Sequence, residues 1–146
     1  MKILLDTCIL AELRSPKGEL LRETLAPFDD DDLFISTLTI GEIAKGIFLL
    51  PESKKKHELA NWLNGLEQKF VERILPIDRD VAFMWGELTA RARVKGITVP
   101  ASDGLIAATA LCYGLHIMTR NVKHFNDTGA FVMNLSDAEI IIPNKL

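Results

Sequence analysis

Ile3-Leu4-Leu5-Asp6-Thr7 opens the chain, and its reading decides the fold. Three apolar residues run straight into an acid and a hydroxyl, and a helical pattern follows. The run reads as a buried strand over residues 2–6 that delivers a carboxylate to its C-terminal tip. In an open parallel sheet, that tip is where ligands bind. Glu42 and Asp103 fall at comparable junctions further along.

Outward from this strand, short apolar runs alternate with helical patterns. Residues 8–14 and 18–26 read as two short helices, broken by Ser15-Pro16-Lys17-Gly18. Asp29 to Asp32 form a solvated acidic loop. Leu33 to Ser36 is a short strand, followed by a helix from about Thr39 to Leu50. Pro51-Glu52-Ser53 breaks the chain, and a helix over residues 54–72 carries Leu59, Leu63, Leu66 and Phe70 at helical spacing. Arg73 to Pro76 is the next strand. Residues 79–95 form a helix with Val81, Met84, Trp85, Leu88 and Ala92 on one face. After a loop from Gly96 to Ser102, Asp103 opens an apolar helix that ends at Tyr113 before Gly114. His116 to Thr119 is a strand, Asn121 to Phe125 a helical turn, and Phe131 to Asn134 a last strand. Glu139 to Ile142 adds an edge strand or packs on a neighbour. Strands alternating with helices predict an α/β fold, a mostly parallel central sheet of about five strands flanked by helices. With no repeat and no linker, residues 1–146 read as one domain.

The 146 residues suit a single domain, and 48% hydrophobic content supplies a sizeable core. Net charge is −3, from 20 acids against 17 bases, which is not the footprint of a strongly basic nucleic-acid binder. A local basic rim or a bound cation reverses the local sign. Cys8 and Cys112 form no C-x-x-C pair and no disulfide framework, so both read as reduced core thiols. Asp6 cuts the first apolar run too short for a signal peptide. No apolar stretch reaches roughly 18 residues, so no membrane span is expected. A cytoplasmic setting is the default.

Each of the three acids has a structural explanation. Asp6 suits a helix N-cap. Thr39-x-x-Glu42 matches a capping box. Asp103 complements a helix dipole in a first turn that Ser102 is placed to cap. Their conjunction says more. Three converging carboxylates repel one another and need compensation, which a hard divalent cation such as Mg²⁺ or Mn²⁺ supplies. Such a centre suits phosphodiester hydrolysis, with Glu42 either a ligand or the group that orients the water.

At this point the chain resembles the PIN-domain toxins of the VapC/FitB type, from type II toxin–antitoxin pairs. The resemblance spans nearly the whole chain. It rests on Leu4-Leu5-Asp6-Thr7, Ser36-x-x-Thr39-Ile40-Gly41-Glu42-Ile43, Asp103-Gly104-Leu105-Ile106-Ala107-Ala108-Thr109-Ala110, and Thr119-Arg120-Asn121 followed by His124-Phe125. It implies a metal-dependent endoribonuclease acting on RNA, a homodimer, and inhibition by a partner antitoxin. It implies Asp6, Glu42 and Asp103 as the acidic site, with Thr7 and Thr119 as supporting hydroxyls. Similar proteins often carry a fourth acid just before the Phe. Here that place is His124, and Asn121 is the other residue able to reach the site. A non-catalytic PIN-like binding subunit is the alternative that this departure leaves open.

The remaining candidates carry less chemistry. Asp78 reads as a helix cap, and Asp127 as part of a turn in Asn126-Asp127-Thr128-Gly129. Lys54-Lys55-Lys56-His57 reads as a solvated helix start. Arg91, Arg93, Lys95 and Arg120 are the candidates for phosphate contact. No phosphate-binding G-x-x-x-x-G-K-[ST] loop, no G-x-S-x-G elbow and no His pair with zinc-site spacing is present.

Overall fold

The central strand is buried on both faces, which is why its sequence is continuously apolar. β1 (Ile3–Leu5) pairs in parallel with β2 (Leu33–Ser36) on one side and with β4 (His116–Met118) on the other. β3 (Ile74–Leu75) lies outside β2, and β5 (Val132–Met133) outside β4, both parallel. β6 (Ile140–Ile141) closes the far edge antiparallel, giving the order β3-β2-β1-β4-β5-β6. The computed structural model describes residues 1–133, 135, 140 and 141. Of the expected last strand and edge strand, Asn134, Glu139 and Ile142 lie outside the described residues.

Alternation along β1 splits the core into two layers. Ile3 and Leu5 face Ile9 and Leu10 of α1 (Thr7–Arg14), Leu21 and Leu25 of α2 (Glu19–Leu25), and Leu66 of α4 (Lys54–Lys69). Leu4 faces the other way, toward Val81 and Leu88 of α5 (Arg79–Val94) and Ile106 and Ala107 of α6 (Ala101–Tyr113). Fully burying such a side chain contributes roughly 1.5–3 kcal/mol. The uncharged stretch of α6 is buried from Ile106 to Ala110, as its composition predicts. Asp78 caps α5 by accepting from the Val81 amide at 3.0 Å. Gly114 ends α6 in the left-handed region, with φ of 67°.

Four local expectations need correction. α3 (Thr37–Phe48) starts two residues before Thr39, because the Ser36 hydroxyl accepts from the Leu38 amide at 3.0 Å and caps it. Thr39 therefore lies inside the helix, and the capping box with Glu42 does not form. α6 starts at Ala101, after Pro100, with no side-chain cap, so Ser102 is not the cap although Asp103 does lie in the first turn. α4 stops at Lys69 rather than at residue 72. There the Arg73 guanidinium donates to the Lys69 and Leu33 carbonyls, turning the chain into β3. Cys112 is exposed on the outer side of α6, not a core thiol.

The connectivity creates a switch point. From β1 the chain passes to β2 and β3 on one side, then returns to place β4 on the other. A crevice opens outside the C-terminal ends of β1 and β4, where the strand order reverses.

Gly18 sits where α1 and α2 meet, and a Cβ there would overlap the Glu12 carbonyl. Gly18→Ala is expected to lower the unfolding free energy by about 1–3 kcal/mol in urea titration. An unchanged midpoint would count against this close approach.

Candidate active site

Asp6 leaves β1 in extended conformation, and its amide donates to the Met118 carbonyl at 3.0 Å, extending the β1–β4 ladder by one residue. The carboxylate is 9% exposed and held at both oxygens. Oδ1 accepts from the Thr7 amide at 2.9 Å, so Asp6 does cap α1. Oδ2 accepts from the Thr119 hydroxyl at 2.7 Å, just past the end of β4. The cap reading and the site reading thus describe different oxygens of one side chain.

Thr7 begins the next link. Its hydroxyl donates to Glu42 Oε1 at 2.9 Å, with the buried Thr39 hydroxyl 3.4 Å away. Glu42, half-buried on α3, is oriented toward α1 by this bond. Asp103 stands on the first turn of α6, with His124 Nδ1 3.4 Å from its Oδ2. Burial pushes the Asp103 carboxyl above its ordinary value; His124 opposes this shift and the Asp6 charge adds to it. Burial, with a smaller contribution from Asp6, likewise raises the Cys8 thiol.

Asp6, Thr7, Glu42, Asp103, Asn121 and His124 all line one open cleft of about 540 Å³, together with Cys8, Ala11, Pro100, Ser102 and Ile106. Thr119 backs it through Asp6. Arg120 is turned away and forks onto Glu12. Arg91 and Arg93 are exposed near the end of α5, outside the cleft lining, and Arg91 pairs with Glu87 at 3.3 Å. A second hollow of about 550 Å³ lies between α1, α2 and α4, lined by Leu10, Leu13, Phe28, Trp62 and Phe70. It is larger in apolar surface and Asp30 is the one acid in its lining.

Sequence reasoning missed Cys8, whose sulfur lies 3.7 Å from Asp6 Oδ2 and 3.6 Å from Thr119 Oγ1. It also missed Thr39 as part of the site. A signal for Cys8 and Ala11 existed, because on a helix opened by Asp6 the residues at 7, 8 and 11 share a face.

The three carboxylates share the cleft without closing into a cage. Among the described residues, no three His, Cys, Asp or Glu side chains are grouped closely enough to hold a metal ion. Glu42 is tied to Thr7 instead. The donor chemistry nonetheless fits a hard cation. Asp6 and Asp103 are close enough for one charge to disfavour the other, and the cleft is open to water. Mg²⁺ is held in this way, by one or two carboxylates with waters and substrate phosphates completing the shell.

An open, mostly parallel sheet with an acidic cleft at its switch point defines the class. The PIN domain model matches residues 3–130, and the chain belongs to the PIN domain family. It is similar to toxin FitB of Neisseria gonorrhoeae, 36% identical over 88% of this chain and 90% of that protein. It is also similar to VapC ribonuclease Y4jK of Sinorhizobium fredii, 32% identical over 90% of this chain and 96% of the relative. The solved structure of FitAB bound to an IR36 DNA fragment contains a chain that superposes with a TM-score of 0.85 at 32% identity, covering 94% of this chain and 97% of that one. No helix among the described residues is long and apolar enough to cross a membrane.

Two outcomes follow from the held carboxylates. Thr119→Val removes a buried hydrogen bond to a charged group, and about 1.5–3 kcal/mol of stability is expected to go with it in urea titration. In the metal-free protein, folded Asp103 keeps its proton to higher pH than the unfolded chain does. That contribution is fully present below the unfolded pKa and is lost as pH rises through the raised folded value. Asp103→Asn removes the loss, so the variant is expected to melt above wild type at about pH 7 and to converge with it near about pH 3. Calorimetry at both pH values checks this, and a variant melting below wild type at the higher pH would contradict it.

Proposed function

We propose that this chain is a metal-dependent endoribonuclease and the toxin half of a type II toxin–antitoxin pair. The observation that carries the reading is the cleft that gathers Asp6, Glu42 and Asp103 at the switch point of a PIN domain. The ribonuclease and toxin names of its relatives support it over a non-catalytic binding subunit.

An acidic cleft repels a phosphodiester, so the substrate enters only with a cation. Asp6 and Asp103 would hold Mg²⁺ or Mn²⁺. Bound there, the cation supplies charge for the scissile phosphate and lowers the pKa of a water. The rest falls to the chain's own groups. Thr119 and the Thr7 amide fix the direction of the Asp6 carboxylate before substrate arrives. Thr7 donates to Glu42, which in this reading would orient the attacking water and take its proton. Asn121 and His124, exposed at the rim, would donate to phosphate oxygens; His124 Nδ1 lies 3.4 Å from Asp103 Oδ2. A toxin requires a neutralising partner protein. In this reading the apolar hollow between α1, α2 and α4 seats part of that antitoxin. A homodimer belongs to the same reading, with Phe48 and Leu49 left exposed at the end of α3 to contribute to it.

Asp6→Asn and Asp103→Asn are each expected to lower RNA cleavage by about 100-fold or more, with the far-UV circular dichroism of wild type. Excess chelator is expected to stop the wild-type protein, and added Mn²⁺ to restore it. Cleavage that persists in excess chelator would overturn the metal mechanism. Cleavage of a DNA oligonucleotide in preference to RNA would overturn the substrate assignment.

A further inference from the structure

One strong contact lies beside the cleft and belongs to none of these roles. Arg120 donates from Nε to Glu12 Oε2 at 2.8 Å and from Nη2 to Glu12 Oε1 at 2.6 Å. A two-point fork of this kind fixes direction as well as distance. Each partner stabilises the other's charge. The hydrogen bond from Arg120 draws the Glu12 carboxyl below its ordinary value, and the same bond raises Arg120. Both side chains keep contact with water, 41% exposed for Arg120 and 25% for Glu12, so the pair adds little to global stability. Its placement is more informative than its strength.

Arg120 stands between two residues of the site. Thr119 before it donates to Asp6 Oδ2, and Asn121 after it lines the cleft and donates its amide to Thr119 Oγ1 at 3.0 Å. The Arg120 amide itself points at Cys8 Sγ, 3.5 Å away. Backbone and side chain of Arg120 therefore both grip α1, the helix that Asp6 opens. This segment has already left β4, so no sheet ladder holds it. Neither Glu12 nor Arg120 lines the cleft.

We propose that Glu12 and Arg120 are a positioning pair. They hold the Thr119-Arg120-Asn121 segment against α1, keeping the Thr119 hydroxyl on Asp6 and Asn121 at the cleft. The inference rests on the nuclease reading only for its kinetic readout. Arg120 in this role orients other groups and does not bind the substrate.

The test compares Glu12→Gln, Arg120→Gln and the charge-reversed double variant Glu12→Arg/Arg120→Glu. Amide hydrogen exchange is measured on the RNA-free protein, and kcat and KM on an RNA substrate. Each single variant is expected to raise exchange at the Arg120 and Asn121 amides about tenfold and to lower kcat about tenfold, with KM and melting temperature near wild type. The double variant is expected to recover most of both losses. Wild-type exchange in the single variants, or no recovery in the double, would overturn the pair. A rise in KM with kcat unchanged would also overturn it, by making Arg120 a substrate contact. Should wild type prove inactive on RNA, the nuclease reading fails, and the exchange data still decide the pair.

Discussion

The parallel pairing of β1 with β4 is the constraint on which the rest depends. Ile3, Leu4 and Leu5 lie opposite His116, Ile117 and Met118, and the Asp6 amide carries the ladder one step further to the Met118 carbonyl. That register sets Asp6 and Thr119 side by side from opposite ends of the chain. A slip of one residue would turn Leu4 to the wrong layer and part the carboxylate from its hydroxyl. Pairing across so many residues carries a loop-closure cost before any contact offsets it. The complete burial of β1 on two faces is what offsets it here.

The cleft that results conflicts with folding. Asp103 sits where burial disfavours its charge, and the Asp6 charge adds to the penalty. The chain softens the conflict with local donors: the Thr7 amide and Thr119 hydroxyl on Asp6, Thr7 on Glu42, and His124 beside Asp103. The residual repulsion between Asp6 and Asp103 is left uncompensated by these donors. Stability is given up locally at this cleft.

The parts of the molecule legible in the sequence were those with a local physical signal. The apolar run before Asp6, the uncharged length of α6, the cap at Asp78 and the stop at Gly114 each declare themselves within a few residues. The resemblance of four short segments to PIN-domain toxins located the acids that line the cleft. What escaped was non-local or ambiguous. Ser36 and Thr39 both suit a cap, and only the strand end at Ser36 decides between them. Cys8 reads as core although its helical spacing with Thr7 and Ala11 turns it to the cleft; that spacing says nothing of Thr119. Glu12 and Arg120 carry no shared pattern at all and meet only once β4 is in register.

The double hold on Asp6 bears on how loss of chemistry is told apart from loss of structure. One carboxylate oxygen ends the orphan amide at the start of α1, and the other faces the hydroxyl behind the cleft. A carboxamide keeps an acceptor for the helix and gives up the charge, since asparagine caps about as well as aspartate. Alanine abandons both and leaves the helix frayed at the site itself. Changes at this position therefore fall into two kinds, one that keeps the helix cap and one that also loosens it. Only the former keeps the first turn of α1 closed.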